Sequence, residues 1–191
     1  MRAKVAAPIS NDFCPQTLFL YGSYKEDGTP NFGLFCRFSY CWFNELGVMA
    51  CIAGDKLTKD RIREKGFFSK LVTESILPLA DYLGNKEGYS PDKMNISINT
   101  KKGEVLDVPT LTDSPLTFEL ELAESICIGD GDVFLCKIRN VLAEQGLLDK
   151  EKGLEDRLRQ IAPVKTTCST YFSWSGKELG PWGRPRKDYI M

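Results

Sequence analysis

The chain has 191 residues, 42% of them hydrophobic and 27% charged, and its 25 Lys and Arg nearly balance its 26 Asp and Glu. A chain of this length predicts one domain whose core is large enough to fold without disulfides or a structural metal. The near-neutral charge gives no reason to expect nucleic acid or an acidic membrane as a partner. Histidine is absent, which excludes catalysis by imidazole and most zinc sites.

The seven cysteines are spread along the chain without the CxxC spacing of a zinc or redox site. No run of about 18 apolar residues is present, and the first residues lack the apolar segment of a signal peptide. These patterns predict a protein of the reducing cytoplasm that has no membrane span and no metal site. Most of its cysteines are expected to pack as small buried side chains.

Short strands joined by turns are predicted in the first part of the chain. Residues 17–24 form the first predicted strand, and a turn follows it. Apolar runs over 32–43 and 48–53 predict further strands, the last of them buried on both faces.

Two short helices are predicted in the middle of the chain. The first covers 59–65, with Thr58 as its N-cap and Gly66 just past its end. The second covers 78–83 and stops at Gly84, because proline is tolerated in a first turn and glycine is favoured beyond the last.

The rest of the chain is predicted to be mainly β-structure. Alternating apolar and acidic residues over 117–122 indicate a strand with one buried face. The GDGD sequence at 129–132 indicates a hairpin, because Asp-Gly adopts the positive φ of tight turns. The remaining predicted elements are a strand over 67–72, a polar loop over 85–93, hairpin strands over 126–128 and 133–138, an exposed helix over 150–161 and a C-terminal arm over about 171–191. Together they predict a single mainly β domain over 1–191, a closed antiparallel barrel with inserted helices.

Aromatic residues are crowded near the start of the chain. Ten of the 21 lie between Phe13 and Phe43. Because strand side chains alternate between faces, the aromatics at 35–43 cannot all enter one core. The surplus is explained either as core plus ordinary surface, or as a site for a flat heteroaromatic ligand or a partner chain.

Positive charge is concentrated between Lys56 and Lys70, where six basic residues occur with two acidic ones. Such a run is typical of a solvated helix face, and Lys59 and Arg63, four apart, are assigned to that face. Lys56 and Thr58 instead stand where the predicted helix starts. Backbone N–H groups and the positive end of the helix dipole make that start suitable for a phosphate group.

Five segments occur in an order and spacing that resemble one known family. They are a strand followed by DGTPN over 18–31, KLTKDRIREKGFF over 56–68, ADYLGNKEGYSPDKM over 80–94, the hairpin ICIGDGDVFLCKI over 126–138 and SGKELG over 175–180. With these segments the chain resembles the flavin reductase-like family of FMN-binding split barrels, which includes flavoredoxin-like proteins.

The resemblance implies a split β-barrel of six strands and a homodimer with one FMN per subunit near the interface. It also implies which residues bind the cofactor. They are Cys36, Arg37, Phe38 and Ser39 along the flavin ring, Lys56 and Thr58 at the phosphate, and Asp81, Gly84 and Lys93 in the segment that closes over the site or the neighbouring subunit.

The split-barrel reductases use NAD(P)H to reduce flavin, so the resemblance implies an FMN-binding oxidoreductase that takes hydride from NAD(P)H. Many members carry a His in the hairpin where this chain has Gly131. That difference favours an alternative, an FMN-holding electron carrier without nicotinamide turnover. The residues alone also allow a barrel that binds a partner through its aromatics and holds no flavin. Arg37 either stabilises the reduced, anionic flavin or pairs with a carboxylate across the dimer.

Overall fold

The structure is a computed structural model and describes residues 3–167 and 169–187. Strands predominate over helices in these residues. The strands are β1 (Gln16–Thr17), β2 (Phe19–Tyr24), β3 (Pro30–Phe35), β4 (Phe38–Trp42), β5 (Leu46–Ala53), β6 (Phe67–Leu71), β7 (Thr100–Lys102), β8 (Pro109–Leu111), β9 (Leu116–Ile128), β10 (Gly131–Ala143), β11 (Lys165–Thr166), β12 (Thr170–Phe172) and β13 (Glu178–Pro181). The α-helices are α1 (Leu57–Lys65), α2 (Leu77–Asn85) and α3 (Leu154–Ile161).

Seven strands form one antiparallel sheet in the order β3, β2, β6, β9, β10, β5, β4. Its two edge strands, β3 and β4, follow one another in the chain and are joined by Cys36 and Arg37 alone. Since the three residue steps from Phe35 to Phe38 span at most about 11 Å, the end of β3 and the start of β4 must lie close together. The sheet is therefore curled into a barrel whose seam is a backbone corner, and the prediction of a mainly β split barrel is confirmed.

The sheet has seven strands rather than the six that the resemblance implies, because the corner at Cys36 and Arg37 divides the apolar run at 32–43 into β3 and β4. Two smaller sheets complete the described residues. One has the order β1, β11, β12, β13 and brings the C-terminal strands to the barrel, and the other pairs β7 with β8.

Strands β9 and β10, each of 13 residues, form the predicted hairpin. Its turn consists of Gly129 and Asp130, and the positive φ of 61° belongs to Gly129. Gly131 lies within β10, paired with Ile128, because the ladder continues up to the turn. The expectation that Asp130-Gly131 supplies the positive φ is therefore wrong.

Helix α1 begins earlier than predicted, and Lys56 rather than Thr58 is its N-cap residue. Thr58 faces the interior, where its Oγ1 accepts a hydrogen bond of 2.6 Å from Asn31 Nδ2. A hydroxyl engaged in this way does not cap the helix. Gly66 stands just past the end of α1 with a φ of 76°, as predicted.

Lys59 and Arg63 are not merely solvated, contrary to the prediction. Both bind the carboxylate of Asp132 on β10, which is only 1% exposed. Lys59 Nζ lies 3.4 Å from Oδ2, and the Arg63 guanidinium forms an ion pair with Oδ1. The prediction failed because spacing along one helix does not reveal that α1 packs across the end of β10.

Gly84 is predicted to end the second helix, and this prediction is wrong. Helix α2 continues to Asn85, and Gly84 lies inside it because β3 approaches closely. A Cβ on Gly84 would lie 2.5 Å from the Cβ of Leu34. Helix α3 is shorter than predicted because Gly153 is its N-cap residue, and none of its residues is buried, as expected of an exposed helix.

Two apolar clusters fill the domain. One lies inside the barrel and includes Phe67, Leu120 and Phe134, all fully buried. The other packs α2 and the C-terminal strands against the outer face and includes Leu20 and Tyr171. The barrel core is thus closed off from the layer that carries the C-terminal segment.

The crowded aromatics divide between core and surface. Phe35 is 9% exposed, whereas Tyr40 and Trp42 on β4 are 58% and 74% exposed. Leu46 and Met49 on the neighbouring strand β5 are also exposed. Tyr40, Trp42 and Leu46 lie on one face of the sheet, since Trp42 pairs with Leu46, and we call these three residues the apolar strip.

The expectation that most cysteines are buried is wrong for the described residues. Of the six cysteines there, all free, only Cys136 is buried. Cys127, for example, stands near the tip of the long hairpin, where every residue of β9 from 123 to 128 is partly or largely open to solvent. Cys168 lies outside the described residues, as do 188–191 of the predicted arm. No helix in residues 3–167 and 169–187 is long and apolar enough to cross a membrane.

Candidate functional site

Two adjoining cavities open where the seam of the barrel meets α1 and α2. The seam cavity, of about 260 Å³, lies between the corner after β3, strand β5 and the C-terminal strands. The lysine cavity, of about 280 Å³, lies between α1, α2 and the loop after α2. An elongated ligand can reach from one to the other, and the combined volume suits a cofactor-sized molecule. Both cavities are lined by Tyr21, Leu34, Lys56, Gly84 and Asn85.

The seam cavity has apolar walls and a polar corner. Leu18, Phe35 and Ile52 contribute to the walls, and Cys36 and Arg37 form the corner. Burial raises the pKa of the Cys36 thiol, and the charge of Arg37 opposes this only in part. The thiol therefore stays protonated at neutral pH. These walls suit a flat apolar group whose edge carries hydrogen-bonding atoms.

Basic side chains outnumber acidic ones in the lysine cavity. Lys56, Lys86 and Lys93 line it with Glu87, and Lys86 already pairs with Asp92, with 2.6 Å between Nζ and Oδ2. Lys93 is 3% exposed, and no carboxylate of the described residues forms an ion pair with it. Burial, followed by the ammonium groups of Lys56 and Lys25, lowers the pKa of Lys93 to about 8. A buried cation that its neighbours repel favours an anionic ligand.

Polar groups beneath the start of α1 connect the two cavities. Thr58, which lines the lysine cavity, accepts a hydrogen bond from the buried Asn31. The Oδ1 atom of Asn31 is buried and has no hydrogen-bond partner among the described residues. Burial raises the pKa of Tyr21 to about 12, although a hydrogen bond with Thr58 opposes it, so the Tyr21 hydroxyl remains a donor. The network thus leaves groups that can form hydrogen bonds with a ligand next to the lysine cavity.

The structure brings six of the nine sequence-predicted site residues to these cavities. Phe38 and Ser39 are not among them, since they line a separate groove of about 520 Å³ with residues such as Phe19 and Trp174. The Phe38 ring stacks there on Phe19 at 4.3 Å between centroids. Asp81 is fully buried and lines neither cavity. The six are Cys36 and Arg37 in the seam cavity, Thr58 and Lys93 in the lysine cavity, and Lys56 and Gly84 in both.

Sequence reasoning missed what the C-terminal segment contributes. Tyr171 and Trp182 line the seam cavity, together with Thr166. No local pattern shows that the predicted arm returns to the corner at Cys36. Lys86 was also missed, because the segment 85–93 contains two lysines and two acidic residues and so shows no excess of positive charge.

The two cavities together complement a ligand with a flat body and an anionic tail. The tail would meet the ammonium groups and the start of α1, where backbone N–H groups point outward. The described residues include no group of three or more Cys, Asp or Glu side chains arranged to hold a metal ion.

The family model described as the flavin reductase like domain matches residues 12–159. The chain therefore belongs to the flavin reductase-like family. That assignment agrees with the split barrel and with the segments that resemble the family.

Solved structures share the fold over most of their length. Flavoredoxin of Desulfovibrio vulgaris (Miyazaki F) has a TM-score of 0.76 and 24% identity, covering 91% of this chain and 93% of that one. Flavoredoxin from Methanosarcina acetivorans has a TM-score of 0.77 and 20% identity, covering 89% and 91%. An FMN-binding protein from Thermus thermophilus, solved with p-hydroxybenzaldehyde, has a TM-score of 0.70 and 22% identity, covering 91% and 94%.

An uncharacterized protein of Aeropyrum pernix is 29% identical over 143 residues, which is 69% of this chain. The match covers 54% of that protein, so the chain spans about half the length of this relative.

Removing the buried charge of Lys93 is expected to stabilise the ligand-free chain. The folded-state pKa of about 8 lies below the ordinary 10.5, so folding penalises a proton that the unfolded chain binds freely. This penalty is complete below about pH 8 and is relieved as the pH rises from there towards 10.5. Lys93→Met should therefore raise the free energy of unfolding by about 1–2 kcal/mol at pH 7, and the gain should shrink near pH 10.

Denaturant unfolding at the two pH values measures this difference. Lys150→Met is the matched control, because Lys150 is exposed and lines neither cavity, so its loss should change stability by no more than about 0.5 kcal/mol. A less stable Lys93→Met chain at pH 7 would mean that the Lys93 charge is already compensated within the fold.

Proposed function

We propose that the chain binds FMN, with its phosphate in the lysine cavity and its ring in the seam cavity, and that it acts as an oxidoreductase. The observation that carries the proposal is the buried Lys93 ammonium, which forms no ion pair within residues 3–167 and 169–187 and faces a cavity that adjoins an apolar one. Three structural neighbours support it, since two are flavoredoxins and one is an FMN-binding protein.

Lys56 and Lys93 would bind the phosphate together with the first backbone N–H groups of α1. Thr58 would add a hydroxyl at the same end. Cys36 and Arg37 would border the ring at the barrel corner. The proposal relies on these two rather than on Phe38 and Ser39, whose side chains line the other groove.

Bound FMN would supply a ring that accepts and releases a hydride, so the protein itself needs no acid–base residue. The protein would bind FMN, orient its ring and shield the ring from water. Apolar walls such as Phe35 and Ile52 would keep water from the ring. The guanidinium of Arg37 would lower the energy of negative charge that develops nearby, because opposite charges attract more strongly where water is excluded.

Comparing FMN with riboflavin tests the proposal, because riboflavin lacks the phosphate. The unsubstituted chain should bind FMN, visible as a shifted flavin absorption spectrum, and should bind riboflavin more weakly. Lys93→Met should weaken FMN about 10- to 100-fold by loss of a charge-assisted hydrogen bond. Its affinity for riboflavin should be unchanged.

Titration by isothermal calorimetry gives both affinities. Lys4→Met, which removes an exposed lysine outside both cavities, is the control for net charge. The proposal fails if FMN does not bind the unsubstituted chain, and the phosphate assignment fails if Lys93→Met weakens both flavins equally.

The reaction has two candidate forms, of which we propose the NAD(P)H-dependent flavin reductase first. The alternative is an FMN-holding electron carrier. The hairpin favours it, because Gly131 has no side chain to contact a nicotinamide and Asp132 already forms ion pairs with Lys59 and Arg63. Steady-state oxidation of NADH and NADPH with excess FMN discriminates them. Turnover well above that of free FMN identifies the reductase, and its absence in the FMN-loaded protein identifies the carrier.

We also propose that the chain forms a homodimer through the apolar strip. Its side chains are unusually exposed for large apolar groups, up to 74% at Trp42. Sedimentation velocity should show a dimer that Trp42→Glu converts to a monomer. Val105→Glu, which changes an exposed apolar side chain elsewhere, should leave it intact. A monomeric unsubstituted chain would refute this assignment.

A further inference from the structure

Asp81 on α2 holds the C-terminal segment through its carboxylate, although it lines neither cavity. Its Oδ1 accepts hydrogen bonds from the Tyr171 hydroxyl and from the backbone N–H of Gly183, each at 2.8 Å. Asn85 Nδ2, on the same helix, also donates to Oδ1, at 2.7 Å. Its Oδ2 accepts one from the backbone N–H of Arg186 at 2.9 Å. A buried carboxylate held by charge-assisted hydrogen bonds is a rigid attachment point. It fixes residues 183–186, which we call the C-terminal strap.

Trp182 immediately precedes the strap and is held in one orientation. Its side chain is 46% exposed, yet Nε1 donates a hydrogen bond of 2.9 Å to Thr166 Oγ1. Its backbone N–H donates to the carbonyl oxygen of Ser169 at 2.8 Å. The indole lies 6.3 Å from the Tyr171 ring, centroid to centroid. An indole whose polar group is already satisfied offers its remaining surface for apolar contact, and that surface lines the seam cavity.

We propose that Trp182 is a specificity-determining wall of the seam cavity that contacts the flat part of the bound ligand. Asp81 is then a positioning residue, which acts on Trp182 through the strap. The inference rests on the proposed function, under which the flat part is the flavin ring. An aromatic wall favours a flat conjugated ligand over a bulky saturated one, because planar groups stack on it.

Trp182→Ala separates contact with the ring from contact with the phosphate. It should weaken FMN and riboflavin by the same factor, about 2- to 10-fold, as expected for loss of one aromatic contact. Lys93→Met, in contrast, should weaken FMN alone. The fluorescence of the bound flavin should also rise in Trp182→Ala, because an indole in contact with the ring quenches its emission. Trp174→Ala is the matched control, since Trp174 lines the other groove and should change neither property.

The role of Asp81 is tested by a double-mutant cycle with Trp182. In Asp81→Asn an amide N–H₂ replaces one of the two acceptor oxygens, so a strap N–H loses its acceptor. Asp81→Asn should weaken both flavins and raise the emission of the bound flavin. The same substitution made in Trp182→Ala should add almost nothing, because its effect passes through Trp182. A merely structural Asp81 would weaken binding equally in both backgrounds.

The outcomes distinguish the inference from the function on which it rests. If the unsubstituted chain binds neither flavin, the proposed function fails and this inference fails with it. If it binds both, and Trp182→Ala leaves affinity and emission unchanged, the inference alone is overturned. Additive effects of Asp81→Asn and Trp182→Ala would overturn the positioning role of Asp81 and leave that of Trp182.

Discussion

The fold depends on one constraint, the two-residue corner between the edges of a single sheet. Because Cys36 and Arg37 alone connect β3 to β4, the sheet must curl until its first and last strands meet. The corner still pairs with β5 once, because the Cys51 N–H donates a hydrogen bond of 2.9 Å to the Arg37 carbonyl oxygen. The seam cavity lies beside this corner, and Cys36 and Arg37 line it together with Cys51. The same two residues thus connect the sheet edges and border the cavity.

The lysine cavity retains a charge that is unfavourable for folding. Burial and two nearby ammonium groups act against the charged form of Lys93, yet nothing in the described residues neutralises it. The neighbouring Lys86 is neutralised by Asp92 and therefore contributes less to the net field. A bound anion would relieve the unfavourable free energy of burying the Lys93 charge. Such a buried, uncompensated charge in a cavity is typical of a ligand-binding residue rather than of a core residue.

The sequence was sufficient for features that depend on local pattern. The GDGD sequence predicted the hairpin, and the glycine after α1 predicted the end of that helix. Alternation over 117–122 correctly predicted a strand, but its wet face was wrong at Glu119, which is fully buried. The sequence was insufficient where packing overrides local preference. Gly84 looks like a helix terminator but serves the close approach of Leu34, and Thr58 looks like a cap but bonds to Asn31. Trp182 reaches the site only through tertiary contacts, so no pattern in the chain identifies it.

The protonated state of Cys36 has a consequence for the chemistry that the seam cavity can tolerate. Sulfur reacts with peroxides and electrophiles as the thiolate, and burial keeps this side chain in the other form. A redox centre held beside such a thiol would not readily be diverted into a covalent adduct with it. The Cys36 sulfur at the corner of the barrel therefore contributes size and polarisability to the cavity wall but does not react.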